Sequence, residues 1–206
     1  ELVGNNGNDT VTYADSAAGV TIDLTLRNGS NDSATVVGLM TAGASTDATG
    51  DRIASVEVIV GSDFADVISA DGSGMTVRGG AGQDELAGGA NDILFGESGD
   101  DVISSTGGGT SMIGGDGADI FLSGAGDDVI WGANKSQIID GGIGDDILFG
   151  GADDDILLGG TGADEFQFVL DNTNGHDTIE DFNLIDGDII KLFIITSSIF
   201  LTFSRS

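Results

Sequence analysis

A nine-residue repeat constrains this chain more than any other feature. Glycine-led blocks begin at Gly96, Gly114, Gly132, Gly141, Gly150 and Gly159, with weaker ones at Ser105 and Ser123, all spaced by nine or eighteen. The best copies read GGAGQDELA from Gly79, GGDGADIFL from Gly114, GGIGDDILF from Gly141 and GGTGADEFQ from Gly159. Degenerate copies stand at Gly61 and Ala70, and one residue is deleted near Ala87, after which the register resumes. Twelve consecutive repeats therefore run from Gly61 to Gln167. Their eighth positions are Ile68, Val77, Leu86, Leu94, Ile103, Met112, Phe121, Ile130, Ile139, Leu148, Leu157 and Phe166, every one apolar. The sixth position is Asp in nine of the twelve, the exceptions being Met75, Thr110 and Gln137. Self-similarity at a fixed period is the mark of a stacked, quasi-one-dimensional architecture.

Each repeat reads as a short strand with one inward side chain, followed by a six-residue turn rich in glycine, the residue that permits positive φ and close backbone approach. Charge sets the second constraint. With 6 Lys and Arg against 35 Asp and Glu, the net charge is −29. High net charge with few aromatics is the usual signature of disorder. An apolar content of 39% opposes that reading, provided some counter-charge is supplied.

The repeat resembles the RTX (repeats-in-toxin) nonapeptide GGxGxDxUx, a calcium-binding β-helix repeat. The flanking segments GNNGNDTVTYADSAAGVTIDLTL from Gly4, GDRIASVEVIVGSDFADVI from Gly50 and HDTIEDFNLIDGDIIKL from His176 resemble those that border such arrays. The resemblance implies an all-β fold, a right-handed parallel β-roll (a β-solenoid) with calcium ions between stacked glycine-rich turns and a cap at the carboxyl end. Two nonapeptides would make one coil, so residues 18 apart would stack on one edge. The first edge then carries Asp66, Asp84, Asp101, Asp119, Gln137 and Asp155. The second carries Met75, Asp92, Thr110, Asp128, Asp146 and Asp164.

Calcium needs six to eight oxygens at 2.3–2.6 Å, and stacked turns present them. The expected ligands are the nine column aspartates, Asp66, Asp84, Asp92, Asp101, Asp119, Asp128, Asp146, Asp155 and Asp164. Backbone carbonyls would complete the sites, from Gly79, Gly80, Gly82, Gly96, Gly99, Gly114, Gly115, Gly117, Gly124, Gly126, Gly141, Gly142, Gly144, Gly159, Gly160 and Gly162. Uninterrupted pairs are Asp66/Asp84, Asp84/Asp101, Asp101/Asp119, Asp128/Asp146 and Asp146/Asp164. They predict about five strong sites, with weak or empty positions beside Gln137 and Thr110. In the cap, Asp177, Asp181, Asp186 or Asp188 is a candidate to complete a last site, while His176 reads as a surface turn residue.

Three segments are expected: flanking coils with a long loop over 1–60, the roll over 61–167, and a cap over 168–206 that also serves as part of a secretion signal. In the first, Gly4 to Thr12 reads as a thirteenth repeat, Val20, Ile22, Leu24 and Leu26 as a half-buried strand, and residues 27–50 as a loop. Val56, Val58 and Val60 begin the strand that feeds the array. In the last, Ile179, Phe182, Ile185, Ile189, Leu192 and Phe193 are expected to cover the roll's open apolar end, as solenoids require. The chain opens inside a repeat, without the basic region and apolar core of a secretory leader, and so reads as a piece of a longer protein.

Several function classes are excluded or disfavoured. The chain has no cysteine, hence neither disulfides nor thiolate metal sites, and a single histidine. A basic face for nucleic acid is missing. The longest apolar run, Ile189 to Phe203, is broken by Lys191 and by Thr196-Ser197-Ser198 and is too short to span a membrane. No H-E-x-x-H, G-x-S-x-G or G-x-x-x-x-G-K-[ST] motif occurs, so a non-enzymatic module is expected. Acid pairs such as Asp100-Asp101 and Asp127-Asp128 recur in register as turn positions.

The resemblance implies a module of a secreted bacterial protein, exported unfolded through a type I secretion system and folding outside the cell as calcium binds. Its partners would be calcium, that machinery, neighbouring domains of a larger chain, and copies of itself. Two alternatives stay open. One is a structural or adhesive, S-layer-like surface protein assembled through the roll. The other is an accessory module of a secreted protease, lipase or polysaccharide epimerase.

Overall fold

The computed structural model describes residues 2–3, 7–24, 53–54, 56–70, 74–170 and 175–194. Within them the chain is a parallel β-solenoid, and no helix is long and apolar enough to cross a membrane. Alternate strands fall on two opposed sheets. One has nine strands: Thr10–Thr12, Val58–Val60, Thr76–Ala81, Ile93–Ser98, Ser111–Asp116, Val129–Asn134, Ile147–Gly151, Glu165–Leu170 and Ile189–Ile194. The other has eight: Thr21–Asp23, Val67–Ser69, Glu85–Gly88, Val102–Ser105, Ile120–Leu122, Ile138–Asp140, Ile156–Leu158 and Thr178–Ile179. A separate parallel pair joins Leu2–Val3 to Ile53–Ala54.

The alternation follows from the repeat. A strand of about three residues presents only its middle side chain to the interior. All twelve eighth-position residues, Ile68 to Phe166, are 0% exposed. They form a core between the sheets, stacked coil on coil: Met112 pairs in register with Leu94 and Ile130, and Phe121 with Ile103 and Ile139. The deletion near Ala87 shortens one coil only. Val77 pairs with Leu94, 17 residues on, whereas Ile130 pairs with Leu148, 18 on. The turn at 88–92 absorbs the missing residue.

The amino-terminal flank joins the same roll. Thr10–Thr12 pairs with Val58–Val60, and Thr21–Asp23 with Val67–Ser69. Val20, Ile22 and Leu24 are buried as the alternation predicts, while Leu26 and the loop of residues 27–50 lie outside the described residues. In the feeding strand the inward residue is Ile59, flanked by half-buried Val58 and Val60.

The carboxyl end corrects one expectation. Ile179 packs against the core as a cap requires, and the Phe182 ring lies 6.0 Å from that of Phe166 but stays 37% exposed. Ile185, Ile189, Leu192 and Phe193 instead remain exposed, Ile185 by 93%. The cause is topological. Residues 178–194 wind one more coil, with Ile189–Ile194 in register on Glu165–Leu170. That coil sends Ile189 outward and leaves Ile185 on its turn.

Candidate metal centre

The sixth position decides the shape of each turn. Its Asp immediately precedes the strand, and its carboxylate folds back beneath the turn. A Cβ placed on Gly79 would collide with Oδ2 of Asp84, so the first repeat position has room only for hydrogen. Gly80 follows at a φ of 114°, a left-handed conformation that side chains rarely adopt.

The carboxylates line up in two columns, as the 18-residue spacing predicts. On the first edge, Asp66 N–H donates to Asp84 Oδ1 at 2.8 Å, Asp84 to Asp101 at 2.8 Å and Asp101 to Asp119 at 2.9 Å. Asp119 N–H then donates to Gln137 Oε1, Gln137 N–H to Asp155 Oδ1 and Asp155 N–H to Asp177 Oδ1. On the second edge, Met75 N–H donates to Asp92, and Thr110 to Asp128. Asp128 donates to Asp146, Asp146 to Asp164, and Asp164 to Asp188. All nine predicted carboxylate ligands are at most 2% exposed. Of the four cap acids, Asp177 and Asp188 extend the columns. Asp181 accepts instead from Gly159 and Gly160 N–H, and Asp186 from the Asn183 amide.

The second carboxylate oxygen divides the nine. Oδ2 of Asp84, Asp101, Asp119, Asp146, Asp155 and Asp164 is buried without a hydrogen-bond donor. The other three are engaged: Asp66 Oδ2 accepts from Ser62 N–H at 2.5 Å, Asp92 Oδ2 from Gly89 N–H at 2.7 Å, and Asp128 Oδ2 from the Ser123 hydroxyl. Sequence reasoning separates the nine only by the pairs that Thr110 and Gln137 interrupt, which leave out Asp92 and Asp155. The signal that sets the engaged three apart is small: a serine at the first or second turn position (Ser123, Ser62) and the shortened repeat before Asp92.

Burial pushes the carboxyls of Asp66, Asp84, Asp101, Asp119, Asp128, Asp146, Asp155 and Asp164 upward, neighbouring carboxylates add to it at all of these but Asp66, and backbone N–H groups pull the other way. Asp84 rises to about 6, and Asp101, Asp146 and Asp155 to about 7. Arg78 pairs with Glu97 and Lys191 with Glu165, and His176 Nδ1 lies 3.8 Å from the Asp154 carboxylate. His176 is fully exposed, as expected of a turn residue. Position-five acids build an outer, exposed ladder: Asp100 accepts from Ala118 N–H, and Asp127 from Asp145 N–H.

An unpaired buried oxygen costs free energy unless a donor or cation reaches it. Among the described residues no three acidic or imidazole side chains converge on one point. A cation in these turns would therefore combine one or two carboxylates with backbone carbonyls. That is an all-oxygen, irregular set, suited to calcium and poor for the strict octahedron of magnesium.

Comparison with known proteins agrees with this geometry. The family model for the RTX calcium-binding nonapeptide repeat matches residues 54–86, 72–103, 79–111, 104–134 and 131–166, together more than half of the chain. No curated protein matches the chain.

Proposed function

The chain belongs to the RTX calcium-binding nonapeptide repeat family, and on that premise we propose that it is a folding module switched by calcium outside the cell. Repeats of this family bind calcium, and the family is typical of secreted bacterial proteins. The observation that carries the reading is the set of six buried, donor-free carboxylate oxygens standing in register along the two edges. Asp84, Asp101, Asp119 and Asp155 would hold ions on the first edge, and Asp146 and Asp164 on the second. The turn carbonyls predicted from the sequence would complete each shell. Asp66, Asp92 and Asp128 would join only by releasing a donor they already hold.

Calcium binds the folded form alone and so stabilises it by mass action. With dissociation constants of about 10⁻⁴–10⁻³ M, each ion contributes roughly 0.5–1.5 kcal/mol at millimolar calcium. Several ions together approach the whole stability of a domain, about 5–15 kcal/mol. At cytosolic calcium that contribution vanishes, which suits export of an unfolded chain by a type I system. The roll itself acts as a structural module, and any catalysis belongs to other parts of a larger protein.

Far-ultraviolet circular dichroism during a calcium titration, with magnesium as control, tests this. A cooperative coil-to-β transition near millimolar calcium, absent with magnesium, is expected. A full β spectrum in excess chelator at neutral pH would overturn it.

A second reading, assembly of copies into a surface layer, has one observation in its favour. The outer face of the nine-stranded sheet exposes Ile93, Val129 and Trp131, the last with its ring tilted against that of Phe149 at 4.7 Å between centroids. Concentration-dependent sedimentation of the calcium-loaded chain, abolished by Trp131→Ser, would favour it.

A further inference from the structure

Three turns lack the column Asp; one ends in Met75, and in the other two what replaces it is a specific hydrogen-bonding group. Gln137 is 0% exposed, and its carbonyl oxygen keeps the ladder bond from Asp119 N–H at 2.8 Å. Its amide nitrogen donates to three backbone carbonyls: Gly117 at 2.9 Å, Asn134 at 2.6 Å and Lys135 at 3.2 Å. Asn134 and Lys135 are the third and fourth residues of its own turn, and Gly117 is the fourth residue of the turn one coil earlier. On the opposite edge Thr110 is 1% exposed, and its hydroxyl meets that of Ser105 at 2.9 Å. Both hydroxyls also reach the carbonyls of Gly89 and Gly107, at 3.1–3.3 Å. Gly107 is again a third turn residue, and Gly89 belongs to the shortened turn one coil earlier, which begins at Gly88 opposite Ser105.

We infer that the Gln137 amide and the Ser105–Thr110 hydroxyl pair stand in for the ion in their own turns, and so determine which turns of the roll bind calcium. This rests on the calcium reading of the other turns. In each case a side-chain donor gathers carbonyl oxygens from two stacked turns, the task a cation performs where the sixth residue is Asp. The two edges solve it with different groups, an amide and a pair of hydroxyls, each reaching carbonyls of its own turn and of the turn one coil earlier. The backbone around Gln137 also keeps the path of a glycine turn without the glycines. Ala133 holds a φ of 121° and Lys135 one of 69°. That strain persists only where surrounding contacts enforce the conformation. The consequence is a division of labour. Ion-dependent turns end in Asp84, Asp101, Asp119 and Asp155 on the first edge and in Asp146 and Asp164 on the second, while the turns ending in Gln137 and Thr110 are closed by the chain's own hydrogen bonds.

Native mass spectrometry of the full chain in calcium, counting bound ions, tests the inference. Gln137→Asp is expected to bind one ion more than the wild type and to need more calcium to fold by circular dichroism. Ser105→Gly combined with Thr110→Asp is expected to do the same independently, and decides the matter should Gln137→Asp not fold. A wild-type chain that binds calcium while both variants bind no more ions would overturn this inference alone. A wild-type chain that binds no calcium would overturn the proposed function, and this inference with it.

Discussion

The turns 114–119 and 132–137 occupy successive coils of the same edge and are tied by side-chain hydrogen bonds from Asp119 N–H to Gln137 Oε1, from the Gln137 amide to the Gly117 carbonyl and from the Asn134 amide to the Asp116 carboxylate. The first, GGDGAD, ends in a carboxylate with an orphaned buried oxygen. The second, GANKSQ, ends in an amide whose nitrogen has three acceptors. Their neighbours in the core, Phe121 and Ile139, are equally buried and pair in register. The strands are thus indifferent to what sits in the turn. The comparison teaches that the roll needs a donor at each turn and that the chain supplies its own at only a few. At six others a buried carboxylate oxygen has no donor, and on the proposed function a cation would take that place.

The largest effect separating the two turn types should come from protons, because several carboxylates respond together. Their folded-state pKa values are raised above the unfolded value near 3.8, to about 6 for Asp84 and about 7 for Asp101, Asp146 and Asp155. The metal-free fold therefore binds more protons than the unfolded chain between about pH 4 and 7. Its stability is greatest below that window and is lost as the pH rises through the folded values. In excess chelator, β signal absent at pH 8 should appear on acidification toward pH 5, while the calcium needed for binding should rise over the same range. Circular dichroism with a calcium electrode reads both. A chelated chain equally unfolded at both pH values would break the comparison.

Next in size is conversion of one turn type into the other. Asp119→Asn keeps an acceptor for Asp101 N–H but removes the charge, so the chain should bind one ion fewer and its calcium transition should become shallower. Asp119→Ala also strands the buried Asp101 N–H, which costs about 1–3 kcal/mol more. Melting in saturating calcium should rank wild type above Asn and Asn above Ala. Equal ion counts for wild type and Asn would remove Asp119 from the ligand set.

The smallest effect isolates the backbone. Ala133→Gly relieves the φ of 121° without touching Gln137. The gain, net of the glycine's own entropy, is about 1 kcal/mol. For a chain of this size that raises the melting temperature by about 2–4 °C. The shift should be the same at every calcium concentration that supports folding. A shift that grows with calcium would mean that the 132–137 turn takes an ion after all.

Much of the roll was legible because its period writes every level at once. Ile103 and Phe121 are 18 apart, and so are the carboxylates of Asp101 and Asp119 beside them; both pairs are in register. The shortened repeat near Ala87 was visible as a slip in spacing and appears as a 17-residue offset. The coil after Phe166 was harder. Its offsets are 22 and 24 residues, and no repeat announces which of Ile185, Ile189 and Ile190 faces inward.

By itself, then, the sequence determined the nine-residue period, its apolar eighth position and its recurring acids, since each depends only on residues recurring at a constant interval, while the parallel coil of two repeats, and with it the two ranks, followed from the resemblance to RTX repeats. What the tertiary structure alone decided is the fate of single atoms. Whether an Asp keeps a free oxygen depends on a serine hydroxyl or turn N–H folding back to it, as at Asp66 and Asp128 but not at Asp84. Whether Gln137 leaves a gap or closes one depends on where its amide points between two stacked turns. Spacing specifies which residues are neighbours; hydrogen bonding is short-ranged and directional, and only the folded coordinates say which donors reach.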